Sequence, residues 1–455
     1  MLDFLQTIFS FIVAISILIA VHEFGHFWVA RKMGVKVLRY SIGFGKPIWS
    51  KTSTVDQTEY VIASIPLGGY VKMLDEREAD VKDEEKHRAF NNQSVSKRFA
   101  IVFAGPAFNF IFAVAAYWLM FVVGVTGVKP VIGDVTENTP AAYAEFKPGE
   151  EIVSVNSKAT PIWDVAMQAF LPAMINHDEV EVQVVTANGL TSTRNLDFSQ
   201  VKQEIEPNVF FEIIGFEPWR PVIPATVGQV LDGSPGSKAG LRKGDRILSI
   251  DNHIIKDWFD LVDYVSARPN KQMRLSVERD GMQVEKVLVT EQTTVNKKVV
   301  GRIGIGPNET GQFPDNMKIH HQYGGFDAVG QSLRNTWDNT VLMLNMLWKI
   351  VAGEVSLKNL SGPINIAVYA GQSASAGMAR FLDFLAIVSI SLGVLNLLPI
   401  PILDGGHLMY YVVEIVKGRP VSERTEELGQ RIGIAILLML MCLAFYNDIV
   451  RLLNN

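Results

Sequence analysis

Apolar residues in this chain collect into four long runs, and between them the pattern changes period. Phe4 to Val21 carries no charge and continues into His22, Phe99 to Val125 and Phe384 to Leu403 are uncharged, and Ile432 to Tyr446 is a shorter run that flanking residues must extend. A helix needs about 20 mostly apolar residues to cross a hydrocarbon layer about 30 Å thick, so the pattern predicts four membrane spans. A removable signal peptide is the other reading of the first run, but the positive residues before it and a small-residue cleavage site are missing. From Tyr60 to Lys72 apolar and polar positions alternate, which together with Gly43-Phe-Gly45 reads as hairpin strands dipping toward the membrane; an ordinary hairpin is the alternative. From Pro314 to Arg380 the period is helical and amphipathic. The run Val341 to Val351 is interrupted by Lys349 and too short to span, which suits a helix lying on the membrane surface or a plain linker helix.

The segment between the second and third runs repeats itself. At an offset of 95 residues Pro140 meets Pro235, Gly149 meets Gly244, Glu150 meets Asp245, Ile152 meets Ile247 and Trp163 meets Trp258. The second copy, Ser234-Pro-Gly-Ser-Lys-Ala-Gly-Leu-Arg-Lys-Gly-Asp-Arg-Ile-Leu-Ser-Ile250, resembles the PDZ family in its permuted form; the first, from Thr139 to Val155, resembles it more loosely. That resemblance implies peptide binding as an added strand at Glu212-Ile-Ile-Gly-Phe216 and Arg302-Ile-Gly-Ile305, unless the domains are purely structural.

Charge adds orientation and excludes one partner class. Thirteen Lys and Arg lie from Arg31 to Arg98, none precede the first run, and only Arg451 follows the fourth. Cytoplasmic loops hold the positive excess, so both termini and the stretch from Thr126 to about Arg380 are expected outside, in a bacterium the periplasm. The whole chain holds 42 Lys and Arg against 47 Asp and Glu, a net charge of -5, which argues against nucleic acid as a partner. A single cysteine, Cys442, excludes an intrachain disulfide.

The chemistry concentrates where the first run ends, at His22-Glu23-Phe24-Gly25-His26. On a helix, residues four apart lie about 40° from each other, so both imidazoles can grip one ion while Glu23 reaches a water beside it. Ionisable groups inside a membrane helix are costly and functional by default, although helix-end histidines can also snorkel to the interface. Catalytic zinc takes three protein ligands and keeps a position open. The candidate third ligand is Asp404, in Asn396-Leu-Leu-Pro-Ile-Pro-Ile-Leu-Asp-Gly-Gly-His407 at the end of the third run; a helix cap is its plainer reading, and His407 reads better as a supporting residue than as a ligand. The orientation argument puts Asp404 at the depth of His22 and His26.

These features, His22-Glu-x-x-His26 in a first span, Leu403-Asp404-Gly405 in a third and tandem PDZ-like repeats between, together resemble the site-2 protease family over essentially the whole chain. The fold class implied is a multi-span α-helical membrane protein, with four transmembrane helices and membrane-associated β-hairpins, carrying two tandem periplasmic PDZ domains of α+β type. The expected segments are a first span at 1–30, a re-entrant β region at 31–97, a second span at 98–125, PDZ domains at 126–221 and 222–309, amphipathic helices at 310–380, a third span at 381–408, a cytoplasmic loop at 409–428 and a fourth span at 429–450.

The resemblance further implies Zn2+ on His22, His26 and Asp404 with Glu23 as general base. Asn396, Pro399 and Pro401 match the family segment that engages substrate, and Gly43 and Gly45 belong to a β-loop thought to pair with it. Phe103-Ala-Gly105-Pro106-Ala-Phe-Asn109 matches a second-span motif, read physically as a kink whose freed backbone groups and Asn109 amide line a hydrated cavity, or as a kink alone. The implied partners are the lipid bilayer, a single-span anti-sigma factor already trimmed by another protease and, as a second class, leftover signal peptides, with the PDZ pair as a size filter in a bacterial inner membrane. The rival readings are a non-catalytic PDZ-bearing scaffold with a structural metal, and a transporter with a His/Glu proton relay.

Overall fold

The computed structural model describes residues 2–454 apart from 79, 187, 202–209, 296–297, 309–312 and 354–360. Four helices among the described residues are long and apolar enough to cross a membrane. The chain divides into two compact units, one of residues 1–125 with 320–448, the other of 126–319 with 449–455.

In the first unit, α1 (Leu2–Lys32) and α2 (Val95–Val123) are 31 and 29 residues long, about 45 Å each at 1.5 Å per residue. Arg31 and Lys32 occupy the last turn of α1, where cations favour the helix dipole. Between the helices, β1 (Val37–Thr52) and β2 (Glu59–Met73) are long strands that bend and pair twice. Val37 to Ile42 run against Gly69 to Met73, and Pro47 to Thr52 against Glu59 to Ala63, while Arg39 to Ile42 also lie beside Glu59 to Ile62. Gly69 to Met73 therefore form an edge, with no strand partner on their other side among the described residues. Phe27, Ala30, Val35, Val37 and Ile101 bury the contact of this sheet with α1 and α2.

Further along lie α3 (Gly325–Ala352), α4 (Pro363–Ser375), α5 (Met378–Leu397), α6 (Asp404–Lys417) and α7 (Glu423–Asn454). The sequence pattern runs the third span on to Leu403 and beyond; the helix stops at Leu397 because Pro399 and Pro401 follow, and a residue ahead of proline is pushed out of helical geometry. Much of the stretch expected as a loop at 409–428 continues α6. Ile402 takes φ +99°, a region disfavoured for a β-branched residue, where strain of about 1–3 kcal/mol is stored two positions before Asp404.

The second unit repeats one strand order at the offset seen in the sequence. The strands Ile132–Val135, Glu151–Val155 and Lys158–Ala159 correspond to Val227–Val230, Arg246–Ile250 and His253–Ile254, and the helix Trp163–Asn176 to Trp258–Ser266. Each copy forms a four-stranded sheet, ordered 158–159, 151–155, 179–185, 191–197 in the first and 253–254, 246–250, 272–279, 282–289 in the second. Each closes on a two-stranded pair, 132–135 with 216–218 and 227–230 with 305–307. The copies diverge just before that pair, where the first has a short helix, Phe210–Ile214, and the second a hairpin, Glu291–Val295 with Lys298–Arg302. Separate apolar cores fill them, around Phe170, Phe198 and Phe216 and around Ile250, Leu275 and Val277.

Candidate metal centre

The His22-Glu-x-x-His26 spacing falls on an unbroken stretch of α1, which puts both imidazoles on one face. That face meets α2 at a closely packed crossing. A Cβ at Gly25 would overlap the Ala104 carbonyl, and one at Gly105 would overlap the His26 imidazole, so glycine on each helix is what lets the rings sit between them. Asp404 arrives from the other side as the first residue of α6. Its position is set by the Asp-Gly-Gly sequence, since a Cβ at Gly405 would overlap the Leu398 carbonyl oxygen of the chain leaving α5.

Three ligand-type atoms converge. His22 Nε2 lies 3.2 Å from Asp404 Oδ2, His26 Nε2 lies 3.5 Å from it, and the two Nε2 atoms are 3.3 Å apart. A tetrahedral ion held at about 2.0–2.2 Å requires ligand atoms about 3.3–3.6 Å apart, so the triangle has the right size and leaves one corner free. The hydrogen bonding points the same way. His26 Nδ1 lies 2.9 Å from the Ile101 carbonyl oxygen, which can only accept, so the proton is on Nδ1 and the neutral ring offers a lone pair at Nε2. Asp404 Oδ2 is buried and has no hydrogen-bond partner among the described residues. The His26 lone pair and the Asp404 oxygen converge with His22 Nε2 on one point, and two imidazoles with a carboxylate at this spacing fit a metal ion.

Glu23 is half-buried beside the triangle, within electrostatic reach of His22, His26 and Asp404. The sheet edge meets it there: a Cβ at Gly69 would come within 3.0 Å of Glu23 Cγ. The sequence reading put substrate contact at Gly43 and Gly45. The structure places those two at bends of β1, with φ +93° and +89°, against Ala63, Ser64 and Ile65 of β2, whereas Gly69 is the glycine at Glu23. Asn396 lies near the end of α5, half-buried, and Pro399 and Pro401 belong to the turn between α5 and α6. His407 stands one turn into α6 with its ring edge-on to Tyr410, outside the triangle.

Asn109 is fully buried, and its amide Nδ2 lies 3.0 Å from His22 Nδ1. Its backbone carbonyl oxygen accepts the Ser389 hydroxyl at 2.8 Å, tying α2 to α5. The signal in the sequence was an amide inside an uncharged 27-residue run, which needs a partner in so apolar a setting. Nothing in the spacing named His22 as that partner.

With this geometry, the sequence comparisons define the class. The sequence model of Peptidase family M50 matches residues 10–440, and the chain belongs to that family of metalloproteases. It is 45% identical over 454 residues to the Regulator of sigma-E protease RseP of Escherichia coli (strain K12), covering 99% of this chain and 100% of that one. It is 43% identical over 454 residues to the Protease RseP of Yersinia pestis, with the same coverage. Among solved structures, the PDZ domain of the SdrC-like protein of Listeria monocytogenes aligns with 24% of this chain and 98% of its own at 19% identity, with a TM-score of 0.16, too low to assign a fold.

Proposed function

We propose that this metalloprotease hydrolyses a peptide bond within the membrane-spanning segment of single-span proteins, with zinc on His22, His26 and Asp404. The observation that carries the reading is the 3.2–3.5 Å triangle of two imidazoles and a carboxylate at one end of a helix apolar enough to span a membrane. A zinc ion held by His22, His26 and Asp404 would supply Lewis acidity toward the scissile carbonyl and toward the attacking water. Glu23 takes the proton from that water and passes it to the leaving amine.

A substrate helix hides its carbonyls in its own hydrogen bonds and must unwind. The free edge Gly69 to Met73 offers backbone donors and acceptors to such an unwound segment beside Glu23, by strand addition. Gly43 and Gly45 then serve by bending the sheet that presents this edge, and Asn396, Pro399 and Pro401 by shaping the wall that leads to Asp404.

The spans fall in the helices Leu2–Lys32, Val95–Val123, Met378–Leu397 and Glu423–Asn454, the positive region 31–97 faces the cytoplasm, and the repeats 126–221 and 222–309 are periplasmic PDZ domains in a bacterial inner-membrane protein. Matching strand orders in the two repeats support that assignment. The PDZ pair acts as a size filter that holds back proteins with intact outer domains. The substrate is an anti-sigma factor, with remnant signal peptides as a second class; what supports this is that the relative in Escherichia coli is named a regulator of sigma-E.

The test is Glu23→Gln. The variant keeps one metal per chain, measured by elemental analysis, and loses about 10²–10⁴-fold in cleavage of a model membrane-spanning substrate. Turnover at the wild-type rate removes Glu23 from its role.

A further inference from the structure

We propose that Asn109 is the positioning residue that decides which nitrogen of His22 faces the metal; the inference rests on His22 being a ligand. A neutral imidazole binds a metal only through the nitrogen that lacks a proton, and the other nitrogen, carrying the proton, needs an acceptor. The two histidines meet this requirement differently. His26 donates from Nδ1 to the Ile101 carbonyl, a partner that can only accept, so its Nε2 is committed to the metal position. His22 has no such backbone partner at Nδ1; it has the Asn109 amide at 3.0 Å.

An amide has one oxygen that accepts and one NH2 that donates, and the two are nearly equal in size. With Nδ2 against the ring, His22 Nδ1 is the acceptor and the proton sits on Nε2, aimed at His26 Nε2 and Asp404 Oδ2, where it blocks metal binding. With Oδ1 against the ring, Nδ1 donates and Nε2 presents a lone pair to the triangle. Asn109 Oδ1 is buried and without a hydrogen-bond partner, so a half-turn of the amide gives it one at Nδ1. The half-turn exchanges two groups of nearly equal size, with the NH2 taking the place that Oδ1 leaves. The residue itself stays in place: it is fully buried, the Ser389 hydroxyl holds its backbone carbonyl at 2.8 Å, and a Cβ at Gly393 would already lie 3.4 Å from Asn109 Cβ. Both histidine tautomers are thus fixed from α2, one by a carbonyl and one by an amide oxygen.

The experiment measures zinc affinity of the full chain in detergent by competition with a chromophoric chelator, for wild type, Asn109→Leu and Asn109→Asp. A carboxylate accepts from Nδ1 in the metal-binding tautomer, so Asn109→Asp is expected to stay within a few-fold of wild type. Leucine fills the volume without an acceptor and is expected to weaken binding about 10–100-fold. The opposite order, leucine tolerated and aspartate damaging, would mean that Asn109 is only packing and overturns the proposal. Because the leucine variant could fail to fold, the wild-type protein provides an independent measurement. Nitrogen-15 spectra of histidine-labelled, zinc-loaded protein are expected to show His22 protonated at Nδ1 and metal-bound at Nε2, and the reverse assignment overturns the proposal. His22→Ala with wild-type zinc affinity would instead remove His22 as a ligand, and the proposal with it, whereas a loss in His22→Ala beside an unchanged Asn109→Leu rejects the proposal alone.

Discussion

Buried carboxylates in the repeated unit and at the metal triangle of the membrane unit are treated in opposite ways. In the repeated unit, Asp245 is matched by Arg279, whose Nε and Nη2 each donate at 2.7 Å, and by the Arg242 N–H at 2.8 Å. Its counterpart Glu150 receives Arg194 Nη2 at 2.7 Å and the Lys147 N–H at 3.1 Å. The arginines come from different strands in the two copies, so the need for a partner has been kept while its source has moved. In the membrane unit, Asp448 of α7 is fully buried and takes the N–H groups of Gly362, Ile364 and Asn365 at 2.8, 2.9 and 3.1 Å, together with the Asn365 amide at 2.7 Å. That is a helix N-terminus satisfied by a side chain from another helix. Asp404 is the exception, with Oδ2 facing two imidazole nitrogens. A carboxylate surrounded by donors holds structure together, and one surrounded by lone pairs calls for a cation.

The largest effect that would break this contrast comes from a single methyl group at Gly105. Its Cβ would overlap the His26 ring, so Gly105→Ala is expected to abolish metal binding and reduce cleavage to background. The overlap also falls in a buried helix crossing directly before Pro106, where a Cβ disfavours helical backbone, so a loss of thermal stability of about 1–3 kcal/mol is expected beside the metal loss. Metal analysis beside a melting curve checks both parts. A variant that keeps its metal would show that the α1 and α2 crossing relaxes and that the triangle is less constrained than its distances suggest.

The repeated unit gives the intermediate effect. Arg279→Ala leaves Asp245 buried without its fork and is expected to destabilise the second repeat by on the order of 3 kcal/mol, with metal content unchanged. Hydrogen exchange on the full chain locates the loss. The same pair sets a pH response. Burial pushes the Asp245 carboxyl up, but the Arg279 fork and the Arg242 N–H outweigh it and hold the group below its ordinary range. The folded pKa being the lower, this stabilisation is complete above the ordinary carboxylate pKa of about 4 and disappears as pH falls through the folded value. Exchange in the second repeat should accelerate below about pH 4, and Asp245→Asn should flatten that dependence.

How much of this was legible in the sequence depends on the range of the interaction. The four spans follow from composition, because burying backbone in lipid demands long apolar helices. The repeat was legible because related strands and helices begin 95 residues apart, from Ile132 and Val227 to Trp163 and Trp258. His22 and His26 were legible through local helix spacing, and Asp404 through its place after an apolar run. Contacts made by backbone geometry were not: the edge at Gly69 depends on how β2 bends back along β1, and the Ile101 carbonyl that fixes His26 has no side chain to advertise it. Among the described residues the first repeat has the Phe210–Ile214 helix before its closing strand and the second the strands Glu291–Val295 and Lys298–Arg302, a difference that no offset could show.

The smallest expected effect sharpens the comparison, because it puts the same methyl group where nothing is near. Gly149 and Gly244 occupy equivalent turns with φ +84° and +93°, and no atom lies within 4 Å of a Cβ built at either. Gly244→Ala therefore meets only the intrinsic backbone penalty, about 1–2 kcal/mol, felt in the second repeat and not in metal content or turnover. Gly105 has no positive φ to protect, so what alanine meets there is not a left-handed turn but the His26 imidazole. If Gly244→Ala lowered metal occupancy as Gly105→Ala is expected to, the two glycines would not be separable into one that permits a turn and one that makes room for a ligand. A stability loss without a metal loss at Gly244, beside a loss of metal at Gly105, is the result that separates them.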